Sequence, residues 1–305
     1  MPSLTSPTLL VTGASGRLGR RVVEYLLDGG AANVVAATRN PDGLADLAAR
    51  GAEARKADFD DPATLQSAFS GVDRLLIVSA PDTPDDPSRR LRQHLAAVDA
   101  ALKAGVRHIV YTSMLNPEPG SPIPFAPDHY GTEQAIEKSG IPFTILRPSW
   151  YADSVFLWLP PVLAAGQWYS AAGDGRTAHV WRDDLAKTAA AALVSSTQES
   201  RRLAVTGPQA LTPAEIVDIV NRVFDTRVEL IAVSDADLRN GLTAAKLPAG
   251  LVELLTAIDI NTRQGGVDVV GDAVQRLTGE PPRSLYDFLV DNRDALLAAR
   301  DALDP

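Results

Sequence analysis

The chain has 305 residues, 45% of them apolar and 22% charged, enough to bury a sizeable core in one large or two modest soluble domains. A net charge of −9 and a pI near 5.0 argue against direct nucleic-acid binding, because phosphate contacts need clustered Lys and Arg. The lack of cysteine excludes disulfides, thiolate nucleophiles and Cys-based zinc sites and fits a cytoplasmic location, while no signal peptide and no run long enough for membrane insertion is visible.

The first element is a short apolar strand, Thr8 to Val11, that runs into Thr12-Gly13-Ala14-Ser15-Gly16-Arg17-Leu18-Gly19 and then into an amphipathic helix stopped by Asp28-Gly29-Gly30. Strand, tight turn and helix in this order suit a dinucleotide pyrophosphate. Gly13 allows the sharp turn, Gly16 lets the backbone approach the phosphates, and Gly19 lets the helix pack closely on its strand. The free N–H groups of the helix start, reached through Ser15, Gly16, Arg17 and Leu18, then face the phosphates with the positive end of the helix dipole. A second strand, Asn33 to Thr38, completes a βαβ unit. The pattern repeats with helix 43–50, strand 52–57, helix 62–70, strand 74–79, helix 87–104 and strand 108–112. The unbroken run Leu75-Leu76-Ile77-Val78 suits a strand buried on both faces, so residues 1–150 are expected to form a doubly wound parallel α/β domain of the Rossmann type that binds NAD(P).

A Pro-rich loop, 116–127, precedes a helix over 128–139 and a strand over 143–146 that ends at Pro148. Tyr151, Phe156, Trp158, Trp168 and Tyr169 then follow closely; such aromatics line a pocket or fill a core, and core is expected for Phe156 and Trp158. Helix 183–195 and strand 203–206 come next, and elements near 178–206 are expected to return to the first sheet. Thr212-Pro213-Ala214-Glu215 is a helix start with a capping box. Strand 228–232 and helices over 234–240, 251–259 and 284–299 complete an expected smaller, interwoven α/β substrate domain within 151–305.

The second strand ends in Thr38-Arg39-Asn40, where an NAD site usually has an acidic side chain. Arg39, helped by Arg17, can pair with a 2′-phosphate, or both can be solvated surface arginines; NADP(H) is the expected cofactor, with NAD(H) possible. Asp58 and Phe59 stand where the adenine would pass, although the same stretch reads as a helix cap supplied by Asp60 or Asp61. Ser79-Ala80-Pro81 would pass beneath the adenosine. Asp82, Asp85 and Asp86 read as a solvated loop rather than a metal site, so no metal is expected, and hydride passed directly from a nicotinamide would need no flavin either. His94, His108 and His179 read as core or cap residues.

The glycine turn, Ala57-Asp58-Phe59-Asp60-Asp61-Pro62, Gly105 to Ser113 and Ser139 to Pro148 together resemble an atypical short-chain dehydrogenase/reductase of the NmrA-like group, most closely the type 2 NAD(P)H:quinone oxidoreductases. In that superfamily a Tyr and a Lys four residues later exchange the proton, but here those places fall at Phe125 and His129, and Tyr130 is followed by Gln134 rather than Lys. Ser113 remains at the superfamily's serine, where it can hydrogen-bond a substrate oxygen or merely end a strand. His129, with an ordinary pKa of about 6.5, can serve as proton donor or oxygen ligand, or be a histidine at a helix start without chemistry. The resemblance puts Pro148 and Ser149 at the nicotinamide, with Ser149 backbone groups orienting the carboxamide, and Trp150, Tyr151 and Phe125 against a flat acceptor. It implies an NADPH-dependent oxidoreductase, monomeric or homodimeric, that passes hydride directly to a quinone-like or other electron-poor small molecule. The alternatives are a non-catalytic NADP(H)-binding redox sensor and a reductase or isomerase of a specialised metabolite.

Overall fold

The structure, a computed structural model, describes residues 6–81 and 86–303, so the expectation for Asp82 and Asp85 lies outside the described residues. β1 (Thr8–Val11) passes through the glycine turn into α1 (Arg17–Asp28), followed by β2 (Asn33–Thr38). The helix expected over 43–50 begins earlier, as a 3-10 turn at Pro41–Leu44 that continues into α2 (Ala45–Ala49), because Pro41 presets the first helical φ. β3 (Glu53–Lys56), α3 (Pro62–Ala68), β4 (Arg74–Ile77), α4 (Arg89–Ala104), β5 (His108–Thr112), α5 (Ala126–Lys138) and β6 (Phe143–Pro148) then alternate.

The second half contains α6 (Val155–Ala165), β7 (Gln167–Ser170), α7 (Arg182–Val194), β8 (Arg201–Val205), α8 (Pro213–Phe224), β9 (Glu229–Ala232), α9 (Asp235–Ala244), α10 (Ala249–Arg263), α11 (Ala273–Thr278), α12 (Leu285–Asp291) and α13 (Arg293–Asp301). The single helix expected over 284–299 is thus two helices. They break at Asn292, whose side chain turns back to donate to the Phe288 carbonyl at 2.9 Å, a local bond that competes with helix continuation. Thr212 and Glu215 form the expected capping box on α8, with bonds of 3.2 and 2.8 Å.

Seven parallel strands lie in the order β3-β2-β1-β4-β5-β6-β8, and β7 pairs with β9 in a separate two-stranded sheet. Side-chain alternation along the strands divides the main core into two layers. Leu9 and Val11 of β1 pack with Val22 and Leu26 of α1 and Leu185 and Ala189 of α7, whereas Leu10 packs on the other face with Leu65 of α3, Ala97 of α4 and Ile136 of α5. A third cluster unites α6, α8, α12 and α13 around Trp181. Trp158 stacks on Trp168 at 4.8 Å there, but Phe156 is exposed, its ring edge-to-face with Phe288, contrary to the core role expected of it.

The strand order reverses between β1 and β4, the place where doubly wound sheets open a crevice at their carboxyl ends. Thr12 closes the bottom of this crevice: its hydroxyl donates to the Leu76 carbonyl at 3.1 Å and accepts the Val78 N–H at 2.9 Å.

Candidate functional site: a nucleotide crevice with an aromatic acceptor wall

The glycine turn sits at the mouth of the crevice. Gly13 has φ +63°, a conformation that side chains rarely adopt, and a Cβ on Gly19 would lie 2.4 Å from the Gly13 carbonyl oxygen. That approach seats α1 on the turn. Gly16, the N-cap, has no side chain to occupy the first-turn N–H groups, so those of Arg17, Leu18 and Gly19 are left for a ligand. The Leu18 side chain itself packs into the core, so this residue offers only its backbone. Ser15 and Thr38 hydroxyls share a hydrogen bond of 2.8 Å, which ties the turn to the end of β2. Arg17 and Arg39 are exposed beside it, and neither guanidinium donates a hydrogen bond among the described residues.

The next three strand ends form the crevice floor. Asp58 accepts the Asp60 N–H at 3.0 Å in a tight turn, while Asp61, not Asp60, caps α3 by accepting from Ala63. Asp60 instead pairs with Arg89 at 2.5 Å, and that guanidinium holds its carboxyl below the usual carboxylate range. Phe59 sets its ring edge toward His94, with centroids 6.4 Å apart. Ser79 is held by its N–H bond to Thr112 at 2.9 Å. Ala80 is gripped from both sides: its N–H donates to His94 Nε2 at 2.9 Å and its carbonyl accepts from Arg90 Nε at 2.9 Å. From sequence His94 was legible only as a core or cap position, and Arg90, four residues before it on α4, was not singled out.

On the side expected from sequence to meet an acceptor, the structure brings Phe125, His129 and Trp150 together. The Phe125 ring meets the edges of His129 and Trp150 at 5.9 and 6.5 Å, and Met114, Ile123, Ala257 and Ile258 surround the group, the last two from α10. Tyr151 does not join them; it packs on the opposite core layer with Arg182 over its ring. His129 is buried and its Nδ1 lies 2.8 Å from the Tyr111 hydroxyl. Burial, with Arg90 and His94 beside it, pushes its pKa down to about 3. The ring is therefore neutral at physiological pH, unlike the readily titrating ring expected from sequence.

Ser113 spends its hydroxyl proton on Glu133, at 2.6 Å. Glu133, almost fully buried on α5, also accepts from Arg147 at 2.9 and 2.6 Å and from Arg202 at 3.1 Å, which joins α5 to β6 and β8. Neither Glu133 nor Tyr111 was singled out from sequence. Tyr111 lies within an apolar strand run, and only the sheet's alternation, which puts it on the α4 and α5 side, marks it out.

A profile described as NAD(P)H-binding matches residues 13–196. The chain belongs to the NAD(P)H-binding family. Quinone oxidoreductase 2 of Escherichia coli K12 is 34% identical over 280 residues, which cover 92% of this chain and 96% of that protein. The crystal structure of an Escherichia coli NADPH-dependent quinone oxidoreductase complexed with NADPH matches with a TM-score of 0.86 at 33% identity, covering 92% and 98% of the two chains. The Citrobacter sp. triphenylmethane reductase complexed with NADP(H) gives 0.84 at 33% identity, covering 93% and 99%.

An NAD(P)H-binding family member needs a pyrophosphate cradle and a carboxamide partner, and the residues present fit both. The glycine turn supplies the first, with its positive φ, close helix and open N–H groups. For the second, Ser149 Oγ is buried just past the end of β6 with no hydrogen bond among the described residues, an unmet demand open to a polar ligand group. Trp150 Nε1 is likewise enclosed and unpaired among the described residues. No helix among the described residues is long and apolar enough to cross a membrane.

Proposed function

We propose that the protein is an NADPH-dependent oxidoreductase that passes hydride directly to a quinone or similar flat, electron-poor acceptor. The observation that carries this reading is the acceptor wall: Phe125 stands between Trp150 and a neutral, buried His129, and Phe125 and His129 occupy the places where a Tyr/Lys proton-transfer couple is expected. Reducing an unactivated ketone creates a basic alkoxide that needs a positioned acid. A quinone gives a resonance-stabilised phenolate, for which orientation is the main requirement. The names of the Escherichia coli relatives support the same class.

In this reading the N–H groups at the start of α1 bind the pyrophosphate, and Arg17 and Arg39 bind a 2′-phosphate. Asp58 and Phe59 flank the adenine, Ser79 and Ala80 lie beneath the adenosine, and Pro148 and Ser149 orient the carboxamide. When bound, the nicotinamide supplies the hydride. Phe125 and Trp150 hold the acceptor flat, and His129 offers a hydrogen bond to its oxygen. Ser113 acts through Glu133, whose bonds set the position of α5.

The test is to mix the protein with NADPH and a panel of quinones and follow the nicotinamide absorbance. Oxidation of NADPH is expected, with kcat/KM falling about tenfold in His129→Ala or Trp150→Ala, the equivalent of about 1.4 kcal/mol. Tight NADPH binding without oxidation by any panel member would overturn the reading in favour of a redox sensor.

A further inference from the structure

We propose that Tyr111 and His94 are positioning residues that hold His129 as the neutral tautomer with its proton on Nε2, so that the ring presents a fixed N–H donor to the acceptor's oxygen. This rests on the acceptor-side reading above.

Three elements on one face of the sheet supply a string of groups, His94 from α4, Tyr111 from β5 and His129 from α5. Its proton directions follow from its far end. The Ala80 N–H can only donate, and it donates to His94 Nε2 at 2.9 Å. A neutral imidazole whose Nε2 accepts carries its hydrogen on Nδ1. His94 Nδ1 therefore donates, to Thr132 Oγ1 at 2.9 Å and more weakly toward the Tyr111 hydroxyl at 3.3 Å. Thr132 is free to accept because it spends its own hydrogen on the Asp128 carbonyl at 2.7 Å. Tyr111 then directs its hydrogen to His129 Nδ1 at 2.8 Å. With Nδ1 accepting, His129 holds its hydrogen on Nε2. That atom has no hydrogen bond among the described residues, and it is not one of the enclosed, unpaired polar atoms of the core.

The charges agree with this order. Burial, with Arg90 nearby, pushes both His94 and His129 down to about 3, and burial raises the Tyr111 hydroxyl well above an ordinary phenol. Among the described residues Arg90, Asp128 and Glu133 are the charged groups that act on Tyr111, and Arg90 and Asp128 lie 3.8 Å apart.

The string orients a proton but does not conduct one. If His129 gave up its Nε2 proton, Tyr111 and His94 would each have to pass a hydrogen forward. That would leave His94 an imidazolate, since the Ala80 amide has no proton to release. The hydride adds to the acceptor, and the proton that completes its reduction comes from water, with His129 unchanged.

NMR of the full chain with ring-15N histidine at neutral pH tests this, with His129 assigned through His129→Gln. His129 is expected to be protonated on Nε2 and His94 on Nδ1. In Tyr111→Phe, His129 is expected to populate the Nδ1–H form, and kcat with a quinone to fall about threefold to tenfold while KM for NADPH stays unchanged. A wild-type His129 protonated on Nδ1, or a Tyr111→Phe protein with wild-type tautomer and kcat, overturns the proposal. The wild-type spectrum decides alone if that variant does not fold. A protein with the expected spectrum that reduces no quinone supports the string and overturns only the quinone reading.

Discussion

Arg39 stands one residue past the buried end of β2, and Arg17 opens α1 across from it; both side chains are exposed and free of hydrogen bonds among the described residues. An arginine already hydrogen-bonded to a carboxylate would lose that pair on meeting a phosphate, whereas among the described residues neither of these two makes such a bond and Arg39 feels Asp60 only through space. Arg20, one turn along α1, differs in this respect because it is paired with Asp46 at 2.5 Å. A charge-assisted hydrogen bond contributes about 1.5–3 kcal/mol. Arg39→Ala is therefore expected to weaken NADPH binding at least about tenfold while leaving NADH binding within about twofold, read by titration with each cofactor. Equal losses for both cofactors would remove Arg39 from the 2′-phosphate.

At the scale of elements, α5 decides how the acceptor side is built, because His129 and Glu133 lie four residues apart on one helical face. His129 is tied to β5 through Tyr111, and Glu133 to β5, β6 and β8 through Ser113, Arg147 and Arg202. Glu133→Ala strips the buried carboxylate from Arg147 and is expected to cost about 3–5 kcal/mol in urea unfolding. A loss well under 1 kcal/mol would mean that the network does not anchor the helix. The sheet's strands were legible from sequence because apolar runs such as Leu75-Leu76-Ile77 alternate with amphipathic helices. Elsewhere local rules mislead. α6, which holds Pro160 and Pro161 in its interior, was not expected from sequence, nor was β7, which has only four residues and a partner, β9, far along the chain. The glycine turn was legible because its chemistry is contiguous. The Ala80–His94–Tyr111–His129 string was not, because its members sit on separate elements: Ala80 read as a floor to the adenosine, His94 as core or cap, His129 as a proton donor or a helix-start histidine, and Tyr111 was not singled out.

For the whole molecule, the histidines make stability depend on pH. His94 and His108 are fully buried and His129 nearly so, and burial, reinforced by nearby arginines, pushes each down to about 3. The same rings titrate near about 6.5 in the unfolded chain. Between those values the unfolded state binds more protons than the folded one, so stability falls as pH falls below about 6.5 and recovers as pH rises. His179, which burial pushes down to about 4, behaves alike. Each ring withdraws about 1.4 kcal/mol on going from pH 7.5 to 5.5, so the four together remove about 5.5 kcal/mol. Ordinary carboxylates, with values near about 4, do not titrate there, and exposed pairs such as Lys103 with Asp99 contribute little at either pH. Urea unfolding at both pH values, with proton uptake measured at the lower one, checks this. A flat profile would mean that the rings are charged in the folded protein, and the neutral string from Ala80 to His129 would then lose its basis.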